Sequence, residues 1–332
     1  MSLASVSIDR VRGLRLRVPG STSNLGPGFD ALGLALQVYL HLDVIGGADD
    51  GAGQLHFTFE GGAPPGDNAI AAAIVDEARR RRVRLPSLHF AVRSTIPVQA
   101  GLGSSAAAIV AGLRVVHALC ATQDQADDDG DLGRLLDAAT AIEGHPDNVS
   151  ASILGGLTAS SQGPGGVTSV ASAWPARVRV VIATPRVGLA TAKARGVLPA
   201  TLSRADAVFN VQRTALLLQA VHTGHLDALA AALDDRLHQP YRAPLVPGLP
   251  DALAFRHPTV LGAFLSGAGP SIGAFVLDDA GAAERFFTDL YARLGLPCDV
   301  RTLDVHQPDA VRARIAPPGV PSGPVLPSGV SA

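Results

Sequence analysis

Residues 97–107 are the part of this 332-residue sequence with the strongest capacity for chemistry. They join a strand-like pattern to a long apolar helical pattern over residues 106–119. Glycines let a backbone approach a ligand closely, and the unpaired N–H groups of a helix start suit a polyphosphate; the alternative is a glycine-rich turn with a serine cap. Hydroxyls at Ser104 and Ser105 can donate to phosphate or help to hold Mg²⁺. The candidate polyphosphate-binding residues are Pro97, Val98, Gln99, Ala100, Gly101, Leu102, Gly103, Ser104, Ser105, Ala106 and Ala107.

Two other segments place polar groups beside glycines. Residues 19–30 include Asn24 and Asp30 and precede a long strand pattern, and residues 265–271 read Leu-Ser-Gly-Ala-Gly-Pro-Ser between apolar, strand-like residues. An ordinary polar loop explains the first segment and a hairpin-like turn explains the second, so neither is specific when taken alone.

The lysine content of the sequence limits which kinds of phosphate-binding site this protein can have. Lys193 is the only lysine, and the sequence has no Gly-Lys-Ser/Thr string, which excludes the common P-loop nucleotide site. Lys193 itself fits either the rim of a site or a solvated helix. The formal net charge of −2 provides no field to attract nucleic acid or an anionic membrane, so neither is expected as a partner. The run of arginines at 79–82 is expected to complement the C-terminal end of a helix.

The three segments, in this order, resemble the motifs of the superfamily of galactokinases, homoserine kinases, mevalonate kinases and phosphomevalonate kinases. Residues 23–30 resemble the homoserine kinase family within it, as do residues 143–149, 191–199 and 238–242. The resemblance covers about residues 10 to 310. It departs from the pattern at Gln99, where the phosphate loop more often carries a small residue, and at an acidic insert.

The resemblance implies a kinase that uses ATP and Mg²⁺ and phosphorylates the side-chain hydroxyl of L-homoserine, a step toward threonine. It implies that Ser105 and Glu143 bind Mg²⁺, which prefers oxygen ligands. The acceptor is a zwitterion, so the guanidinium groups of Arg195 and Arg242 suit its carboxylate and Asp30 suits its ammonium group. By resemblance, Asn24, His145 and Asp147 complete the substrate pocket.

The general base is the open question of mechanism. Mevalonate kinases carry an aspartate near the attacking hydroxyl, whereas Asn148 occupies that place here. Because asparagine cannot accept the proton, we expect a mechanism without a dedicated base, with His145 and Asp147 as the alternative acceptors. By resemblance, the candidate catalytic residues are Asn24, His145, Asp147, Asn148 and Arg195.

Two other functions compete with this interpretation. A kinase of the same superfamily that acts on shikimate or an isoprenoid precursor is one, but an isoprenoid acid would leave Asp30 without an ammonium partner. A catalytically inactive regulator is the other, although such relatives usually lose the loop serines or the metal carboxylate, and Ser104, Ser105 and Glu143 are present.

The elements that must position these residues follow from hydrophobic periodicity. Alternation predicts strands over residues 36–44, 55–59, 88–92 and 178–183, an apolar stretch over 260–277 broken at 267–271, and a final strand over 300–305. Helices are predicted over residues 69–82 with Asn68 as the cap, 106–119, 132–143, 205–222, 226–238 and 282–294.

These patterns indicate an α+β protein of two domains with mixed sheets. The resemblance implies the two-domain kinase fold, with a left-handed βαβ unit in an N-terminal domain and a ferredoxin-like C-terminal domain. We predict domains over residues 1–166 and 167–316, a disordered tail over 317–332 and an exposed acidic loop at 125–131. Without a secretory signal, and with two isolated cysteines, a cytoplasmic protein is expected; the resemblance implies a homodimer.

Overall fold

The computed structural model describes residues 4–64, 66–121, 129–308 and 314–315. The predicted tail and residues 125–128 of the predicted acidic loop lie outside these residues. Residues 129–131 of that loop are the first residues of a helix, so the loop prediction is wrong there. The strands are β1 (Ala4–Ser5), β2 (Arg15–Ser23), β3 (Leu32–Ala48), β4 (Leu55–Phe59), β5 (Val83–Arg84), β6 (Ser87–Ser94), β7 (Leu157–Gly163), β8 (Gly166–Ser172), β9 (Val178–Pro185), β10 (Val260–Leu265), β11 (Ile272–Leu277), β12 (Cys298–Leu303) and β13 (Arg314–Ile315).

Helices alternate with these strands and are shorter in the second half of the chain. They are α1 (Ala69–Arg81), α2 (Ser104–Cys120), α3 (Asp129–Glu143), α4 (Pro146–Leu154), α5 (Thr191–Gly196), α6 (Arg204–Thr223), α7 (Leu229–Ala232), α8 (Gln239–Arg242), α9 (Leu249–Ala254) and α10 (Gly281–Arg293), with 3-10 turns at Ile8–Arg10, Leu226–Ala228 and Ala243–Leu245. No helix in the described ranges is both long and apolar enough to span a membrane.

The first sheet is mixed, as expected, and has the strand order β13-β8-β7-β3-β6-β4, with β2 paired to β3. All pairs are antiparallel except β4 with β6, which are parallel and enclose α1 in a βαβ unit. The left-handed sense of this crossover stays a prediction. Helices α2 and α4 pack on β2 and β3. The start of α2 lies against the end of β2, where the backbone N–H of Ser21 donates to the carbonyl oxygen of Leu102 at 3.1 Å.

The second sheet has the order β10-β11-β9-β12, with every pair antiparallel. If β9 to β12 are numbered 1 to 4 in chain order, the order in the sheet is 2-3-1-4. Helices connect strand 1 to strand 2 and strand 3 to strand 4 along the chain. That is the ferredoxin-like arrangement that the resemblance implied. Phe264 and Phe275 of this sheet pack in the core that it shares with the first domain, and Phe287 and Tyr291 of α10 cover its other face.

The predicted domain boundary lies at the end of a glycine-rich segment around residues 155–166. This segment contains the hairpin of β7 and β8, in which Gly163 is paired with Gly166 and both strands belong to the first sheet. The predicted boundary after residue 166 therefore falls at the first residue of β8. We propose that the change of domain lies between β8 and β9, where the chain passes from one sheet to the other.

The predicted helix over residues 226–238 is wrong. The chain forms a 3-10 turn and then the short helix α7, which ends at Ala232. The carboxylate of Asp235 accepts hydrogen bonds from the backbone N–H groups of Leu237, His238 and Gln239, so it stabilises a turn instead of a continuous helix.

Candidate active site

A cleft of about 640 Å³ lies between the two domains and is lined by residues of both. It contains most of the predicted site residues: Asn24, Asp30, Val98, Gln99, Ala100, Gly101, Gly103, Ser104, Ser105, Glu143, His145, Asp147, Asn148, Arg195 and Arg242. Four predicted nucleotide-binding residues do not line it. Pro97 is partly buried beside the cleft, and the side chains of Leu102, Ala106 and Ala107 pack in the hydrophobic core.

The phosphate loop is held by close backbone packing. A Cβ on Gly101 would lie 2.3 Å from the carbonyl oxygen of Ser266, and one on Gly103 would lie 2.3 Å from Oγ of Ser21. Both glycines have left-handed φ angles, of 72° and 68°. Gly103 caps α2 without a side-chain hydrogen bond, so the cap is not the serine cap of the alternative interpretation. The first amides of α2 therefore donate no hydrogen bond to a capping side chain and have no side-chain partner among the residues that the structure describes.

Ser105 and Glu143 form the predicted metal pair. Oγ of Ser105 donates a hydrogen bond of 2.8 Å to Oε2 of Glu143. Burial raises the pKa of Glu143, and the Ser105 hydrogen bond partly opposes this effect. A nearby cation would stabilise the charged form of a carboxylate that is desolvated in this way. The oxygen atoms of Ser105 and Glu143 are ligands of the kind that a hard ion prefers. The residues present thus fit Mg²⁺.

Asp147 and His145 lie at the start of α4, a helix that the sequence patterns missed although Pro146 occupies its first turn. Nδ1 of His145 donates to Oδ1 of Asp147 at 2.5 Å, and the backbone N–H of Asn148 donates to the same oxygen at 2.7 Å. Burial lowers the pKa of His145, but the hydrogen bond and charge of Asp147 outweigh burial and leave it raised.

The side-chain amide of Asn148 is hydrogen-bonded to strand β2. Its Nδ2 donates to Oγ of Ser23 at 2.9 Å, and its Oδ1 accepts from Oγ of Ser21 at 2.9 Å. Because Ser21 also packs against Gly103, the carboxamide of Asn148 fixes the end of β2 beside the phosphate loop.

Asp30 and Arg195 come from different domains and meet in the cleft. The guanidinium of Arg195 donates to both carboxylate oxygens of Asp30, at 3.0 and 2.6 Å. Asp30, His145 and Asp147 also have side-chain atoms within 4.8 Å of one another, an arrangement that could hold a cation. Asp30 is already paired with Arg195 and Asp147 with His145, so the charges of this trio are compensated within the protein.

Arg242 differs from Arg195 because it is 1% exposed and, among the described residues, forms no ion pair. It donates to the carbonyl oxygens of Ala194 and Gly267 at 3.0 and 3.1 Å. Burial and the charge of Arg195 lower its pKa to about 10, so it stays cationic at neutral pH. A buried guanidinium without a counter-ion is a strong site for an incoming carboxylate.

Two features of the site were not assigned from the sequence. The ring of Phe29 lies under both guanidiniums, 5.4 Å from that of Arg195 and 5.2 Å from that of Arg242. The sequence signal that could have identified Phe29 is its position next to Asp30. The cleft also extends to an apolar end lined by Phe59, Val92 and Ile96, which come from β4, β6 and the turn after it.

The fold and this cleft define a small-molecule kinase of the type described as GHMP kinases. The chain matches "GHMP kinases N terminal domain" over residues 68–156 and "GHMP kinases C terminal" over residues 217–293. By its similarity to curated relatives, the chain belongs to the homoserine kinase family. It is 46% identical to the homoserine kinase of Solibacter usitatus, with 78% of this chain and 84% of the relative covered.

Other comparisons agree. The homoserine kinase of Moorella thermoacetica is 40% identical, with 87% of this chain and 96% of the relative covered. The crystal structure of homoserine kinase from Cytophaga hutchinsonii superimposes with a TM-score of 0.73 at 22% identity, over 89% of this chain and 96% of that one. This structural likeness supports the two-domain fold.

Proposed function

We propose that the protein transfers the γ-phosphoryl group of ATP to the side-chain hydroxyl of L-homoserine and forms O-phospho-L-homoserine. The observation that carries this proposal is the charge arrangement of the cleft. The buried guanidinium of Arg242, which forms no ion pair with a described residue, and the carboxylate of Asp30 face one cleft, next to a helix start that suits a polyphosphate. The names of the 35–46% identical relatives support homoserine as the acceptor.

The nucleotide is proposed to bind along the phosphate loop. The first amides of α2 and the hydroxyls of Ser104 and Ser105 supply donors for the polyphosphate, and the apolar end of the cleft accepts the base. Ser105 and Glu143 would hold Mg²⁺, which supplies charge neutralisation to the phosphates when it is bound. Loop and helix positions are fixed by packing of Gly101 and Gly103, so these donors are preorganised.

The acceptor is proposed to lie across the ion-pairing groups. Its carboxylate would contact Arg242 and Arg195, and its ammonium group would contact Asp30. Asn24 supports this arrangement: its Nδ2 donates to the carbonyl oxygen of Gly267 at 2.9 Å, and its Oδ1 accepts from the backbone N–H of Asp30 at 3.0 Å. It therefore holds Asp30 in place.

We propose that no residue acts as a dedicated general base. Asn148 cannot accept a proton, and Oδ1 of Asp147 already accepts hydrogen bonds from His145 and from the Asn148 amide. The hydroxyl would be aligned for in-line attack, and its proton would pass late to the transferring phosphoryl group. If Asp147→Asn lowered turnover by several orders of magnitude without changing substrate affinity, Asp147 would be the base instead.

The test is an ADP-release assay with Mg²⁺ and ATP across homoserine, shikimate and mevalonate. Of the three acceptors, we expect only homoserine to be phosphorylated. Chelation of Mg²⁺ should abolish this activity, and addition of excess Mg²⁺ should restore it. Turnover of mevalonate without homoserine would overturn the proposal. A thermal-shift titration without any response to MgATP would instead favour an inactive regulator. A homodimer is also proposed, and light scattering on the purified chain tests it.

A further inference from the structure

Gln99 is the residue at which the phosphate loop departs from the family pattern, and its backbone is unusual. Its φ is 53°, in the left-handed region that glycine adopts readily and other residues seldom do. A side chain at such a position has a backbone cost, and outliers of this kind are concentrated at functional sites.

The side chain of Gln99 lies exposed at the cleft. Its carboxamide faces the turn of the C-terminal domain after β9, since a Cβ on Gly188 would lie 3.8 Å from its Oε1. No described residue forms a hydrogen bond with this carboxamide. Its two N–H donors are therefore available to a ligand that enters between the domains.

Charge in the cleft makes such a neutral donor useful. Among the described residues that line the cleft, the arginines are Arg195 and Arg242, and both stand over the ring of Phe29. Lys193 is exposed on α5 and does not line the cleft, whereas the carboxylates of Glu60 and Asp67 do, in the loop after β4. A polyphosphate that runs from the apolar end toward Ser105 thus depends on amide and hydroxyl donors.

We propose that Gln99 is a nucleotide-positioning residue whose Nε2 donates a hydrogen bond to a phosphate oxygen of ATP at the mouth of the cleft. The inference rests on the proposed use of ATP by this site, but not on the identity of the acceptor. A side-chain amide at this place donates a hydrogen bond to phosphate, as a lysine does in other phosphate loops. Because the amide is neutral, its burial by the ligand does not require the desolvation of a charge.

The test uses Gln99→Gly and Gln99→Glu in the full chain. Glycine accepts the left-handed backbone, so the first variant is expected to keep the melting temperature of the parent within about 2 °C. Loss of one hydrogen bond to a charged group is expected to raise the KM for ATP and the Kd for magnesium-bound AMP-PNP about tenfold, with the KM for homoserine unchanged. Glu places a carboxylate beside the phosphates, and a rise of about 100-fold or more is expected.

Gln212→Glu makes the same substitution on the exposed face of α6 and is expected to leave nucleotide binding unchanged. Calorimetry with magnesium-bound AMP-PNP needs no acceptor, so it separates this proposal from the proposed function. Binding that weakens in both Gln99 variants supports the inference even if homoserine proves not to be the acceptor. An unchanged Kd in both variants overturns it, and an unchanged Kd with a lowered melting temperature would assign Gln99 to a contact between the domains.

Discussion

Arg195 and Asp30 form a bidentate ion pair across the cleft, although the sequence assigned them to opposite ends of the same substrate. Their side chains are 36% and 33% exposed, so solvent screens the pair and its opening costs about 1 kcal/mol or less. A zwitterion that presents a carboxylate to Arg195 and an ammonium group to Asp30 replaces both halves of the pair. A ligand with one charge replaces only half.

Asp30→Asn should therefore raise the KM for homoserine about 30-fold to 100-fold, because it removes a charged hydrogen-bond acceptor from the ammonium group. The KM for ATP should not change. With the parent protein, 4-hydroxybutyrate, which lacks the amine, should be a correspondingly poor acceptor. Steady-state kinetics with both acceptors is the measurement, and equal efficiency with homoserine in the parent and the variant would contradict this role of Asp30.

Arg242→Met is expected to separate stability from substrate binding. Removal of a buried cation that has no ion-pair partner among the described residues relieves desolvation, and loss of the hydrogen bonds to Ala194 and Gly267 offsets that gain. The free energy of unfolding should thus change by no more than about 2 kcal/mol, while homoserine affinity falls at least 100-fold. Urea unfolding and a thermal-shift titration with homoserine test this pair of results; a variant that homoserine still stabilises fully would rule out Arg242 as the carboxylate site.

Gly103→Ala should abolish most nucleotide binding. The new Cβ would lie 2.3 Å from Oγ of Ser21 and would force the loop or β2 to move. We expect kcat/KM for ATP to fall at least 100-fold and the protein to lose stability by about 2 to 4 kcal/mol.

Gly224→Ala is the matched control for Gly103→Ala. Gly224 has a similar φ of 78°, at the end of α6, but no atom of the described part of the chain would lie within 4 Å of its added Cβ. Only backbone strain remains, so a loss of about 1 kcal/mol with full activity is expected. If both alanine variants kept full activity, close packing would not be what shapes the phosphate loop.

His238 should make the folded state sensitive to acid. Burial lowers its pKa, Asp235 opposes this effect, and the charges of Arg242 and Asp30 act on it in opposite directions. Below about pH 6.5, His238 is protonated in the unfolded chain but stays neutral in the folded protein. The free energy of unfolding therefore falls as pH decreases, and this group contributes at most about 1.4 kcal/mol per pH unit. The slope applies until the pH reaches the lowered folded pKa.

The measurement is the free energy of unfolding of the parent and of His238→Gln at pH 7.5 and pH 5.5. The carboxylates contribute an acid-dependent loss to both proteins, and the difference between them reports His238. A smaller loss in the variant is expected; an equal loss would show that His238 is protonated without cost in the fold.

Elements with strong local signals were predicted well. The alternation within β3, the Asn68 cap of α1 and the apolar run of α2 need no distant residue to be recognised, and all three are present. Asn68 accepts from the amides of Ile70 and Ala71, as a cap should. The helix predicted over residues 226–238 failed because the carboxylate of Asp235 captures amides that a helix would use.

The sequence alone determined which chemical groups this protein has for phosphoryl transfer. One lysine, a glycine and serine loop before a helix, a carboxylate at Glu143 and arginines near residues 195 and 242 are fixed by residue type and local spacing. The tertiary structure decided how these groups are used. Arg242 is buried and forms no ion pair within the described ranges, Arg195 pairs with Asp30 from 165 residues away, and Asn148 is held by Ser21 and Ser23. Charge compensation and burial arise from contacts between distant segments, so local pattern cannot reveal them.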